Sequence, residues 1–249
     1  MMSISRIFQP VTLTLGVVIQ LDEAASHHLS RVLRAKINDK VVIFNSQDNG
    51  EYESVITHVT KKNVDVRIEK FHARDVESSL DLWLVQGISR GEKMDYTIQK
   101  AVELGVKKII PVFTERCTVK LDDERREKRW QHWRAIMISA CEQCGRVQLP
   151  ELSMPVPLKD WLQEEMMADA AFVLAPQAKT NLKKLQIDSR ARVVLLIGPE
   201  GGLSQEEIDS ASKRKFVPLN LGPRILRTET AGVAALAVLQ GFFGDLAGH

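Results

Sequence analysis

Two glycine-proline segments near the C-terminal end of this 249-residue chain hold the residues best placed to do chemistry. One runs Leu195-Leu196-Ile197-Gly198-Pro199-Glu200-Gly201-Gly202-Leu203-Ser204. The other runs Leu219-Asn220-Leu221-Gly222-Pro223-Arg224-Ile225-Leu226-Arg227-Thr228-Glu229-Thr230-Ala231. Each passes from an apolar, strand-like stretch through a glycine turn into a helix. Such turns present backbone N–H groups beside a helix N-terminus and so make cradles for ligands. Two of them, a few tens of residues apart, point to one shared pocket. Arg224, Arg227 and Glu229 flank the second turn and could move a proton or stabilise a developing anion.

The turns do not fit the commoner nucleotide motifs. A P-loop requires a lysine after its last glycine, and none follows Gly202. A dinucleotide fingerprint belongs near the first strand of its fold, with an acidic residue about 20 positions on. Here the glycines come late and their spacing differs, so the pocket need not be built for phosphate.

The elements that must position these turns follow a regular alternation. From Leu80 onward, strands are expected at 82–87, 108–113, 171–175, 193–197 and 217–221, with helices at about 93–104 and through Gln143. Short apolar runs separated by helices indicate an α/β fold with a parallel sheet. Ser204-Gln205-Glu206-Glu207 reads as a capping box that starts a helix at the end of the first turn, and Thr228 or Thr230 can cap the last helix. Before residue 72 the pattern changes to strands and turns, expected at 11–21, 40–45, 51–59 and 63–71, with one helix-like stretch at 24–36. Asp48-Asn49-Gly50 is a hairpin signal. This N-terminal part reads as a small β-barrel, and the chain divides near residues 72–79.

Hydrophobic residues at 44% suffice for packed cores, and charged residues at 27% fit a soluble protein. A net charge of only +2 means that any nucleic-acid surface is a local patch. Three cysteines argue against a disulfide framework and suit a reducing cytoplasm. The N-terminus carries no signal pattern. The longest apolar run, 231–243, is too short to span a bilayer and reads as a buried helix, so no membrane role is expected.

Taken together, the words IGPEGG and LGPRILRTETA resemble the cofactor loops of the SPOUT RNA methyltransferases. The branch they are most similar to is the RsmE-type 16S ribosomal RNA (uracil-N3)-methyltransferases. Lys93-Met94-Asp95 with Gln99-Lys100-Ala101-Val102-Glu103-Leu104-Gly105-Val106 resembles the family's first helix. Ala140-Cys141-Glu142-Gln143-Cys144-Gly145-Arg146 resembles its AxEQxxR signature, and Arg6-Ile7-Phe8 and His28-Leu29-Ser30-Arg31-Val32-Leu33-Arg34 its RNA-binding segment. These motifs span nearly the whole chain in the family's order. Where the family often shows Gly-Asp after that segment, this chain has Asn38-Asp39, and Asn tolerates the left-handed turn.

The resemblance implies a PUA-like RNA-binding β-barrel over residues 1–73. It implies a SPOUT methyltransferase domain with a trefoil-knotted parallel sheet over 74–249; no sequence pattern would suggest a knot by itself. It implies S-adenosylmethionine as cofactor, held by Leu174, Ile197, Gly198, Glu200, Gly202, Leu219, Leu221, Gly222, Ile225 and Leu226. A homodimer acting on 16S rRNA, within the small ribosomal subunit, is the implied assembly and partner. Uracil N3 carries a proton that leaves only far above neutrality, so Glu229 is expected as base or orienting group and Arg227 or Arg224 as electrostatic stabiliser. Glu229 could equally sit where it does because acids are favoured in a helix's first turn, whereas a cation at Arg227 opposes that dipole.

Arg6, His28, Arg31 and Arg34 form the expected RNA contact. The basic stretch 125–134 follows acids at 122–127, an order that complements a helix dipole and needs no ligand. Cys141 and Cys144, one turn apart, are weak evidence for metal, and helix packing explains them better. No metal site is expected. The competing readings are a SPOUT 2′-O-ribose RNA methyltransferase and a non-catalytic ribosome assembly factor that holds RNA.

Overall fold

The computed structural model describes residues 4–119, 122–181 and 185–246. The chain forms two compact units: residues 1–77 with 141–149, and residues 78–140 with 150–249.

The first unit is built on five strands: β1 (Arg6–Phe8), β2 (Val18–Gln20), β3 (Lys40–Phe44), β4 (Gly50–Val59) and β5 (Val64–Ala73). They lie in the order β1-β3-β4-β5-β2. Alternate residues Tyr52, Ser54 and Ile56 of β4 and Val64, Val66 and Ile68 of β5 face inward, the period-2 pattern of a half-buried sheet. Irregular register between Glu53 and Ser54 and between Ile56 and His58 curls the β4–β5 pair. No ladder joins β1 to β2 among the described residues; the two ends of the sheet are clasped by side chain instead. Gln9, 2% exposed, accepts from the amide of Asp22 at 3.0 Å and donates to its carboxylate at 3.1 Å. The expected strand over 11–21 shrinks to β2 because Gly16, at φ +79°, turns the chain midway.

A short helix α1 (Glu23–His27) runs into a π-helical turn at His28–Val32. Asp22 caps it, accepting from Ala25 N at 2.8 Å. The expected helix over 24–36 ends early, where Arg34 takes φ +52°. Asn38 adopts φ +74°, the left-handed turn anticipated from its residue type.

The second unit is a parallel sheet with the order β11-β13-β10-β12-β6-β7-β8. Its strands are β6 (Asp81–Gly87), β7 (Lys108–Phe113), β8 (Glu151–Leu152), β10 (Ala170–Leu174), β11 (Thr180–Asn181), β12 (Arg192–Ile197) and β13 (Val217–Asn220), with β9 (Val156–Pro157) pairing to β7. The helices are α2 (Glu92–Glu103), α3 (Asp123–Cys144), α4 (Leu158–Trp161), α5 (Gln205–Lys213) and α6 (Thr228–Phe243). Both sheet faces are covered, which explains the unbroken apolar strands. On one face Val85, Val112, Val173, Val194 and Leu196 pack with Trp161 and Phe216. On the other, α6 packs on α2. Gln240, fully buried in α6, accepts from Ser78 Oγ at 2.8 Å and donates to Leu104 O at 2.8 Å. No helix among the described residues is long and apolar enough to cross a membrane.

Candidate active site

β12, β13 and β10 are parallel neighbours around β10, so the turns that follow them leave the same edge of the sheet. The turn after β12 is closed on itself. A Cβ at Gly198 would lie 2.7 Å from the carbonyl carbon of Gly202, so only glycine fits there. Helix α5 begins directly after, on the anticipated capping box: Glu207 N donates to Ser204 Oγ at 3.2 Å and Ser204 N to Glu207 Oε2 at 2.9 Å.

The turn after β13 is folded by Asn220. Its side-chain oxygen accepts from Gly222 N at 2.5 Å, and its amide donates to the carbonyl of Pro176 in the turn after β10. Gly222 takes φ +116°, and a Cβ there would meet no protein atom within 4 Å. Its backbone therefore stays open to close approach by a ligand.

The three turns enclose a cavity of about 860 Å³. Leu174, Ile197, Gly198, Glu200, Gly202, Leu219, Leu221, Gly222, Ile225 and Leu226, the residues expected to hold a cofactor, all line it, as do Arg224 and Arg227. Leu219 is fully buried in its wall, and Ile225 stands 86% exposed at its mouth. Glu229 does not line the cavity. It is half-buried in the first turn of α6, with Oε2 shielded from solvent and no hydrogen-bond partner among the described residues.

Neither Thr228 nor Thr230 caps α6; Arg227 occupies the cap position and contributes no side-chain bond. Thr228 is buried, and its hydroxyl donates to Gly198 O at 2.7 Å while accepting from Gln86 Nε2 at 3.1 Å. The tertiary bond has claimed the oxygen that a cap would use.

Two residues absent from the sequence-based set, Lys93 and Arg116, complete the site. Glu200 accepts from Arg90 N at 3.1 Å and pairs with Lys93 at 3.3 Å. Burial alone would raise its pKa, but the backbone amides and Lys93 outweigh burial and hold it below the usual carboxylate range. Lys93 lines the cavity, and so does Arg116, which donates to Gly201 O at 3.1 Å. Lys93 lay within a recognised motif, and Arg116 sits in a turn that carries no pattern. The arrangement suits a ligand with a flat apolar body for the leucine slot and hydroxyls for Glu200, as an adenosyl group has.

In the first unit, His28, Arg31 and Arg34 recur at three-residue intervals and all are exposed, beside the exposed Val32 and Leu33. Arg6 does not join them. Its side chain is 13% exposed, ion-paired with Glu51, bonded to Arg146 O at 3.0 Å and stacked on Phe44 at 5.1 Å. Burial, then the neighbouring Arg74, lower its pKa. Cys141 is fully buried, and burial pushes its thiol up to about 12, as expected of a packing residue.

Residues 76–240 match the RNA methyltransferase domain family, and residues 21–69 match the RNA methyltransferase PUA domain family. Ribosomal RNA small subunit methyltransferase E of Buchnera aphidicola (subsp. Schizaphis graminum) is 40% identical over 243 residues, 98% of each chain. A structure described as a Legionella pneumophila methyltransferase in complex with S-adenosylmethionine superposes with a TM-score of 0.94 at 43% identity, covering 98% of this chain and all of that one. The S-adenosylmethionine-bound ribosomal RNA small subunit methyltransferase E of Neisseria gonorrhoeae gives 0.90 at 34% identity with the same coverage.

Proposed function

Because the chain belongs to the ribosomal RNA small subunit methyltransferase E family, we propose that it transfers a methyl group from S-adenosylmethionine to N3 of a uridine in 16S rRNA. The observation that carries this reading is the single cavity where the turns after β10, β12 and β13 converge with all ten expected cofactor residues on its walls.

When bound there, S-adenosylmethionine supplies an electrophilic methyl group. Leu174, Ile197, Leu219, Leu221 and Leu226 form the apolar slot and exclude water from it. Glu200, kept ionised by Lys93 and the Arg90 amide, offers an acceptor for ribose hydroxyls. Arg224 and Arg227 set two exposed cations on the cavity wall. No side chain caps α6 at Arg227, where a cation opposes the helix dipole, so its role is sought in stabilising the imide anion that forms as uracil N3 loses its proton. Glu229, with one buried unpartnered oxygen, is proposed as base or orienting group.

The first unit is proposed to dock RNA through His28, Arg31 and Arg34, with the functional boundary near residue 73. The strand order β13-β10-β12-β6-β7, with α6 returning from β13 to pack on α2, supports a trefoil-knotted SPOUT topology. A homodimer acting in the cytoplasm on the small ribosomal subunit completes the reading.

The test is incubation of the full chain with labelled S-adenosylmethionine and small-subunit rRNA, followed by nucleoside mass spectrometry. N3-methyluridine is the expected product. 2′-O-methylnucleoside would replace this reading with ribose methylation, and RNA binding without methyl transfer would leave an assembly factor.

A further inference from the structure

A second cavity, of about 690 Å³, lies at the other end of the same sheet. Its walls include the first residues of four parallel strands: Asp81 of β6, Ala170 of β10, Arg192 of β12 and Val217 of β13. The turns of the cofactor pocket leave the opposite ends of these strands, and no residue lines both cavities.

Four cations and two carboxylates line it. The carboxylates are occupied within the protein. Asp81 accepts from Arg192 Nε at 2.6 Å and from Trp83 Nε1 at 2.8 Å, and Asp169 accepts from Arg192 N at 2.7 Å. Arg192 is itself fixed over the Trp83 ring at 4.7 Å, its charge matched by Asp81. The other three cations are exposed and unmatched. Arg214 donates to the carbonyl of Glu164 at 2.6 Å, which orients the guanidinium without neutralising it. Among the described residues, no carboxylate stands within ion-pair distance of Arg190, Arg214 or Lys215.

Lys215 adds a separate observation. Helix α5 ends in two closing bonds, Lys215 N to Ser212 O at 3.0 Å and Phe216 N to Ala211 O at 3.1 Å, and Lys215 adopts φ +67°. Glycine is favoured at that position because a Cβ there is strained. Lysine is uncommon in that conformation, and here it sets its side chain on a cationic cavity.

We propose that this cavity binds phosphates of the RNA substrate, with Arg190 and Arg214 supplying guanidinium forks and Lys215 a point charge. Met167 and Phe172 give the cavity an apolar portion on which a ribose or base can rest. The proposal rests on the RNA methyltransferase reading and adds an RNA contact in the second unit, apart from the His28–Arg34 segment.

The test measures binding of a 16S rRNA transcript to the full chain across salt concentrations, for wild type, the double variant Arg190→Ala/Lys215→Ala, and Lys215→Gly. At about 0.7–0.9 units per phosphate contact, the slope of log affinity against log salt is expected to fall by between one and two units in the double variant. S-adenosylmethionine affinity stays unchanged. Lys215→Gly is expected to raise Tm while weakening RNA binding, opposite movements that a purely structural lysine would not give. A double variant with wild-type affinity and slope overturns the proposal. So does protection of the wild type, and not the double variant, by inorganic phosphate with RNA binding unaffected, which would assign the cavity to a free phosphate. A wild-type chain that binds no RNA at any salt overturns the substrate reading itself, and this proposal with it.

Discussion

The hydroxyl of Thr228 donates to the carbonyl of Gly198 at 2.7 Å, joining the two glycine turns across 30 residues of sequence. The same hydroxyl accepts from Gln86 Nε2, so β6, the turn after β12 and the start of α6 meet at one buried oxygen. Pocket shape depends on that junction. Thr228→Val keeps the volume but takes from the Gly198 carbonyl its close donor, while Gln86 Nε2 keeps its bond to Gly87 O at 3.0 Å; the cost is about 1–3 kcal/mol. Calorimetry with S-adenosylhomocysteine should show weakened binding together with a lower Tm. Thr228→Ser should restore most of both. A valine variant indistinguishable from wild type would mean that the turns hold their positions without the bond.

Gly222→Val separates pocket from core. No protein atom beyond its chain neighbours lies near the added Cβ, so the damage to folding is limited to backbone strain, about 1–3 kcal/mol. Cofactor binding should be lost while cooperative unfolding persists. Retention of wild-type affinity would show that the ligand does not approach this backbone.

Catalytic roles divide by pH. If Glu229 accepts the N3 proton, Glu229→Gln should slow single-turnover methyl transfer by roughly 100- to 10,000-fold. The defect should shrink at high pH, where uridine deprotonates unaided. Arg227→Ala should slow transfer at every pH below the substrate's own pKa. A full rate for Glu229→Gln at neutral pH removes that carboxylate from the mechanism.

Arg6 and Arg34 should behave differently. Arg6→Ala leaves Glu51, among the described residues, with only Arg74 at 3.7 Å, and removes the Arg6 bond to the Arg146 carbonyl. Breaking a largely buried pair of this kind costs about 3 kcal/mol, which thermal unfolding would register. Arg34→Ala, on an exposed turn, should leave Tm within a degree or two and instead reduce RNA affinity and its salt dependence. Equal Tm for the two variants would refute the structural role assigned to Arg6.

What could be read from sequence was local. The Ser204–Glu207 capping box and the left-handed Asn38 depend on a few adjacent residues, and both hold. The glycine turns were visible for the same reason. Arg6 is expected in the RNA contact, and its burial is not visible locally because its partners, Glu51 and Arg146, stand 45 and 140 residues away. Thr228 or Thr230 is expected to cap α6, and nothing near Thr228 in sequence announces the partners that claim it, Gly198 and Gln86. The strand expected at 11–21 is cut back to β2 by the turn at Gly16. Nor does the pattern of strands say that β13 inserts between β10 and β11, since register across a parallel sheet is settled by packing partners far along the chain.

That insertion has a kinetic consequence. β13 follows every other strand in chain order, yet it occupies an interior position in the sheet. Until Val217–Asn220 has docked, the apolar strand Ala170–Leu174 presents an open edge able to recruit a strand from another molecule. Such late, long-range closure is slow and leaves a newly made chain exposed to self-association. Val217–Asn220 also carries the chain into the Gly222 turn, so the pocket walled by that turn cannot close before this four-residue strand has docked.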